Sequence, residues 1–199
     1  MSIKLHGIRE TLSKTNIEKM EREKRKREDD IRKGKKIGPY ILPKSVITKM
    51  QDSIKKSDYI NKEIGFSLCS KATEPNILID RSHCTGTECS IKQLHKCEEG
   101  EILIGDFHTH PRTKEIELSG GDIAYGYRMG LICVGSKKKI NCYLRKGTYQ
   151  KGVDDDIIEM VKMQKTIETQ LNIIEKMNEE LKRERPRIIK ENFIVTDVK

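Results

Sequence analysis

Tryptophan is absent from this chain, and aromatic residues are 5% of its 199 positions. Any hydrophobic core must therefore be mainly aliphatic. Long apolar runs are also missing. No segment approaches the roughly 18 apolar residues of a membrane-spanning helix. The opening stretch MSIKLHGIRE lacks the apolar centre of a secretory signal. These absences predict an intracellular, cytoplasmic protein with no membrane partner. In that setting the six cysteines, Cys69, Cys84, Cys89, Cys97, Cys133 and Cys142, are expected as reduced thiols or metal ligands, not a disulfide framework.

Charge is abundant. Charged residues are 36% of the chain, hydrophobic residues 35%, and the formal net charge is +9. Such a surplus suits acidic partners or nucleic acid. The basic residues are interspersed with acidic ones, however, which favours plain solvation and leaves nucleic acid as the less favoured partner.

Composition divides the chain into three. Residues 1–37 are almost wholly polar and rich in good helix formers, which predicts a charged helical or disordered arm. GPYILP interrupts it. Residues 38–150 carry the apolar segments of a globular domain. LPKSVITKMQDSIKKS has Val46, Ile47, Met50 and Ile54 at helical spacing just after a proline. IGFSLCS, NILIDR, EILIGDFHTH, LICVGS and INCYLRK are short apolar or alternating runs that predict strands, and GGDIAYGYRMG between two of them predicts a short helix. A helix, then strands with a helix inserted, gives a mixed α/β class. Residues 151–199 are expected to form a long helix and tail, with Pro186 stopping the helix. Its seam, Ile157, Met160, Gln164, Ile167, Leu171, Ile174, Asn178 and Leu181, alternates spacings of three and four. Residues 157–181 could thus pair in a coiled coil, as a dimer or with a partner helix, or pack on their own domain.

The stretch GDFHTHPRTKEIELSGGD is unlike the rest. A strand ended by Pro111 would point His108 and His110 the same way, because side chains alternate faces. Two imidazoles one strand pitch apart can converge on one metal ion, and neutral imidazole suits zinc. A catalytic zinc usually has three protein ligands. Asp122, at the start of the predicted helix, is the natural third. Ser119 can cap the same helix or donate to an oxyanion. Asp106 shares the face of the histidines.

Taken together, His-Thr-His-Pro followed by Ser-x-x-Asp resembles the signature of the JAB/MPN (JAMM) metalloprotease family. The glycine and aromatic residue ahead of His108 fit that pattern too. The eight residues between His110 and Ser119 make the gap one residue longer than the common pattern. The resemblance covers roughly residues 40–147. It implies a cytidine-deaminase-like mixed sheet flanked by helices, and one catalytic Zn2+ held by His108, His110 and Asp122. Glu63, in NKEIGFSLC, stands where the family carries a catalytic glutamate; Glu74 and Glu101 are rival carboxylates. Glu63 would take a proton from the attacking water and pass it to the leaving amine, while Ser119 would stabilise the oxyanion. The implied activity is metallo-isopeptidase cleavage of ubiquitin or ubiquitin-like conjugates. The alternatives are an amide hydrolase of the same fold with other substrates, and a non-catalytic scaffold or nucleic-acid-binding protein with a basic arm.

A second group, His83, Cys84, Cys89, His95 and Cys97, lies within fifteen residues. Its spacings match no strong zinc-finger pattern. Ordinary strand and loop is the expectation there, ahead of a structural metal.

Overall fold

The computed structural model of the chain describes residues 14–86, 96–111, 118–137, 139–148 and 175–198. They form four helices and one mixed sheet of eight strands. In chain order these are α1 (Lys14–Arg32), β1 (Lys35–Ile37), β2 (Tyr40–Leu42), α2 (Lys44–Ile60), β3 (Ile64–Lys71), β4 (Glu74–Thr85), β5 (Glu101–Thr109), α3 (Gly120–Met129), β6 (Leu131–Ser136), β7 (Lys139–Arg145), α4 (Glu175–Asn192) and β8 (Phe193–Asp197). The sheet order is β1-β2-β4-β3-β5-β6-β7-β8. The pairs β2–β4 and β5–β6 are parallel and the others antiparallel. Among the described residues, no helix is long and apolar enough to cross a membrane.

Each face of the sheet has its own apolar cluster. On one face, Val46, Ile47, Met50 and Ile54 of α2 pack with Phe66, Leu68, Phe107, Leu131 and Cys133. The helix begins directly after Pro43 and ends at Asn61, whose φ of 53° is the left-handed conformation that commonly terminates helices. Each buried aliphatic side chain contributes about 1.5–3 kcal/mol of gross burial, so this stripe docks α2 firmly. On the other face, Ile123, Ala124 and Tyr127 of α3 and Ile188 of α4 cover Ile132, Val134, Tyr143 and Phe193. Along β6 the faces alternate residue by residue, as a strand buried on both sides requires.

The parallel pair β5–β6 needs a crossover, and α3 supplies it. The N-terminus of α3 therefore returns to the C-terminal end of β5, where ligands commonly bind in α/β sheets. Close approach of the two strands has a sequence cause. A Cβ at Gly105 would collide with the backbone carbonyl of Leu131.

Three expectations about the chain's two ends need adjustment. Lys35–Ile37, within the stretch read as an arm, is the edge strand β1, and Ile37 is fully buried in the core. Pro186 does not stop the last helix; it lies inside α4, which runs on to Asn192. A proline removes one backbone donor, and burial of Ile188 against the sheet holds the helix beyond it. The chain then adds β8, absent from the sequence reading, paired with β7. Most of the seam 157–181 lies outside the described residues, as does any pairing it makes.

The cysteines differ from expectation as well. Cys133 and Cys142 are direct partners across β6 and β7, and they are disulfide-bonded. Cys69 and Cys97 form a second disulfide, with their Cα atoms 6.0 Å apart. Register, invisible in sequence spacing, brings Cys133 and Cys142 together, while Cys97 reaches Cys69 from the segment ahead of β5.

Candidate metal centre

The local fold of β5 aims its histidines. Phe107 and Thr109 turn toward α2: Phe107 is in the core, and the Thr109 hydroxyl donates to Ser57 Oγ at 2.6 Å while accepting from the Ile64 backbone N–H at 2.9 Å. With those two fixed on one face, Asp106, His108 and His110 are left on the face covered by α3. The His110 N–H donates to the Gly135 carbonyl at 2.9 Å, carrying the β5–β6 pairing one residue past the strand.

Asp122 arrives from α3. Ser119 is the N-cap: its hydroxyl accepts from the Asp122 N–H at 3.2 Å, and the Asp122 carboxylate accepts from the Ser119 N–H at 2.7 Å. This reciprocal capping box fixes where the helix starts and which way the carboxylate points.

The three side chains converge. His108 Nε2 lies 3.1 Å from His110 Nε2 and 3.1 Å from Asp122 Oδ1, and His110 Nε2 lies 3.4 Å from Asp122 Oδ2. Tetrahedral zinc with bonds of about 2.0–2.2 Å sets its ligand atoms about 3.3–3.6 Å apart. The observed separations nearly match that edge length, with Asp122 facing His108 through Oδ1 and His110 through Oδ2, so these residues fit a metal ion of this kind and could hold one. His108 and Asp122 are largely buried, which limits competition from bulk water. Two histidines and one carboxylate also leave a fourth position for water or substrate.

The charges are coupled. Burial disfavours the imidazolium form of His108, but the carboxylates of Asp122 and Asp106 outweigh it and hold its pKa well above the usual histidine value. Burial likewise disfavours charge on Asp122, yet His108 and His110 hold its carboxyl well below the usual range.

No family model matches this chain, and no curated protein matches it. The case for the site rests on its residues and their geometry.

Glu63 joins the same face. Gly65 pairs with His108 across β3 and β5, and Ser67 with Asp106. Continuing that register two residues sets Glu63 opposite His110. Directly opposed side chains point the same way, with Cβ atoms about 4.5–5.5 Å apart. Glu63 is 7% exposed, and its carbonyl accepts from the Gly86 N–H at 2.8 Å, which anchors the backbone there. The rival carboxylates are elsewhere. Glu101 starts the strand that carries His108 near its other end, roughly 23 Å away at the usual strand rise. Glu74 sits at the same far end, opposite Lys71, and pairs with Arg27.

Ser119 is half-buried and carries the cap. Capping uses its oxygen as acceptor, and a hydroxyl still has its hydrogen to donate. The structural and chemical roles of Ser119 are therefore compatible.

The second cysteine-and-histidine group does not assemble as one site. Cys97 is bonded to Cys69, and His83 pairs with Asp80 and stacks on Phe66. Cys89 and His95 lie outside the described residues. Burial pushes the Cys84 thiol up, which disfavours the thiolate a metal requires. A different group, Cys69, Cys97 and Glu101, does come together. Sequence spacing misses it, since Cys69 is on β3 and Glu101 opens β5. The guanidinium of Arg81 grips both oxygens of Glu101, holding its carboxyl below the usual range. A cation already fills that position, so the histidine centre is the better metal site of the two.

Proposed function

We propose that the chain is a zinc-dependent amide hydrolase of the JAB/MPN type, with the cytidine-deaminase-like fold of that family. In this reading it is an isopeptidase that releases ubiquitin or ubiquitin-like proteins from lysine side chains. The observation that carries the chemistry is the convergence of His108, His110 and Asp122 at near-tetrahedral spacing. The substrate class comes from the resemblance of the histidine motif.

His108, His110 and Asp122 would hold the zinc. When bound, zinc supplies a water reactive at neutral pH and a Lewis acid for the scissile carbonyl. Glu63, buried opposite His110, accepts the proton of the attacking water and returns it to the departing amine. Ser119 directs its O–H at the oxygen that gains charge. The capping box holds that hydroxyl in place before substrate arrives, so little reorganisation is needed in the transition state.

The test is cleavage of a panel of ubiquitin-like conjugates by the zinc-loaded full chain. The expected result is release of the modifier from at least one conjugate, abolished in His108→Ala. Absence of cleavage across the panel by zinc-loaded protein would overturn the substrate class.

A further inference from the structure

The metal face holds one more carboxylate than the reaction uses. Asp106 is 3% exposed, in the middle of β5, two residues before His108. One of its oxygens lies 3.8 Å from His108 Nδ1, while His108 Nε2 faces His110 and Asp122 at 3.1 Å. The two nitrogens of this imidazole therefore have different neighbours: Nε2 looks into the ligand triangle and Nδ1 looks back at Asp106.

The surroundings of Asp106 are buried. Ser67 is its direct partner across β3, is itself 1% exposed, and has a hydroxyl with no hydrogen-bond partner among the described residues. A dication held by two neutral imidazoles and Asp122 leaves one net positive charge in the centre. Asp106 would balance it.

We propose that Asp106 is a positioning residue for the metal centre: it accepts a hydrogen bond from His108 Nδ1–H and so keeps the Nε2 lone pair aimed at the ion. This rests on the zinc reading above. The 3.8 Å separation is longer than a direct hydrogen bond, and such contacts tighten when a site is filled. Asp106 touches neither substrate nor water in this account. Its effect is on how tightly and in which geometry the ion is held. Ser67, by donating to the other side of the carboxylate, would fix Asp106 in turn.

The experiment compares wild type with Asp106→Asn, Asp106→Ala and Ser67→Ala in the full chain. Zinc affinity is measured by competition with a chromophoric chelator. The visible spectrum of the cobalt-loaded protein reports the geometry of the centre. Removing such a partner weakens metal binding about 10–100-fold. Asp106→Asn keeps shape and an acceptor but not charge, so it should lose less than Asp106→Ala, and both should shift the cobalt bands. Ser67→Ala should weaken binding by less than either. At saturating zinc, KM should stay near wild type. Thermal unfolding without metal separates this role from a structural one: Asp106→Asn should still unfold cooperatively, within about 4 °C of wild type, while its zinc affinity falls.

Zinc affinity within twofold of wild type in Asp106→Ala, with an unchanged cobalt spectrum, overturns the proposal while leaving the zinc reading intact. So does Asp106→Asn protein that fails to fold, since that marks the residue as structural. Wild-type protein that binds no zinc fails both.

Discussion

Replacing Glu63 by Gln separates the proton carrier from the metal ligands. The substitution keeps side-chain shape and leaves the backbone bond from Gly86 to the Glu63 carbonyl untouched. Continued register of β3 against β5 sets Glu63 opposite His110, and it is not in the converging group of His108, His110 and Asp122. Zinc content should therefore stay near wild type. Gln can hydrogen-bond a water but cannot take its proton at neutral pH. General-base catalysis is worth typically 10²–10⁴-fold, which corresponds to about 3–5 kcal/mol of barrier. Turnover should fall by that factor with KM little changed, because the lost interaction forms mainly in the transition state. The assay is steady-state cleavage of the best conjugate, with elemental analysis of the same sample. A variant that keeps full zinc and more than a tenth of wild-type turnover would refute the role of Glu63. Loss of zinc in the variant would instead make Glu63 a ligand.

Further expectations concern the cap and one surface ion pair. Ser119→Ala should lose about 1 kcal/mol with the cap and roughly 10²-fold or more in turnover with the oxyanion donor. Ser119→Asp, a good cap with no hydrogen to donate, should recover stability without activity, and recovery of turnover together with stability in Ser119→Asp would argue that Ser119 is a cap alone. Asp80 joins α2 to β4 through Lys49 at 2.7 Å. Burial works against its charge, but Lys49 and His83 hold its carboxyl below its ordinary value of 3.8. A depressed folded-state pKa gives stability that is present above the unfolded-state value and lost as pH falls through the folded one. Asp80→Asn should therefore cost about 1 kcal/mol near neutral pH, a melting shift of about 2–4 °C. The difference should vanish in strong acid; a gap unchanged down to pH 2 would show that the charge is not responsible.

The centre was legible in the sequence to the extent that it depends on local rules. The two-residue period of a strand sets His108 and His110 on one face, and the Ser-x-x-Asp cap fixes Asp122 at the start of α3. Glu63 became placeable through the register of β3 against β5, which no spacing reveals. The same applies to the pairing of Cys133 with Cys142. The three-residue strands β1 and β2 are too short to show alternation, and their pairing partners lie far along the chain or across a turn. β8 was hidden behind Pro186, where burial of Ile188 and pairing with β7 outweigh the local signal to stop. Conversely, the apolar runs from Ile64 to Ser70 and from Leu131 to Ser136 were readable because each is a strand buried almost throughout.

The central claim, that this is a metal centre, is tested most directly by elemental analysis of the purified full chain after zinc loading and removal of excess ion. The account predicts one zinc per chain in wild type and none in the His108→Ala/His110→Ala double variant, with all six cysteines left in place. Full zinc in the double variant, or none in wild type, would contradict it.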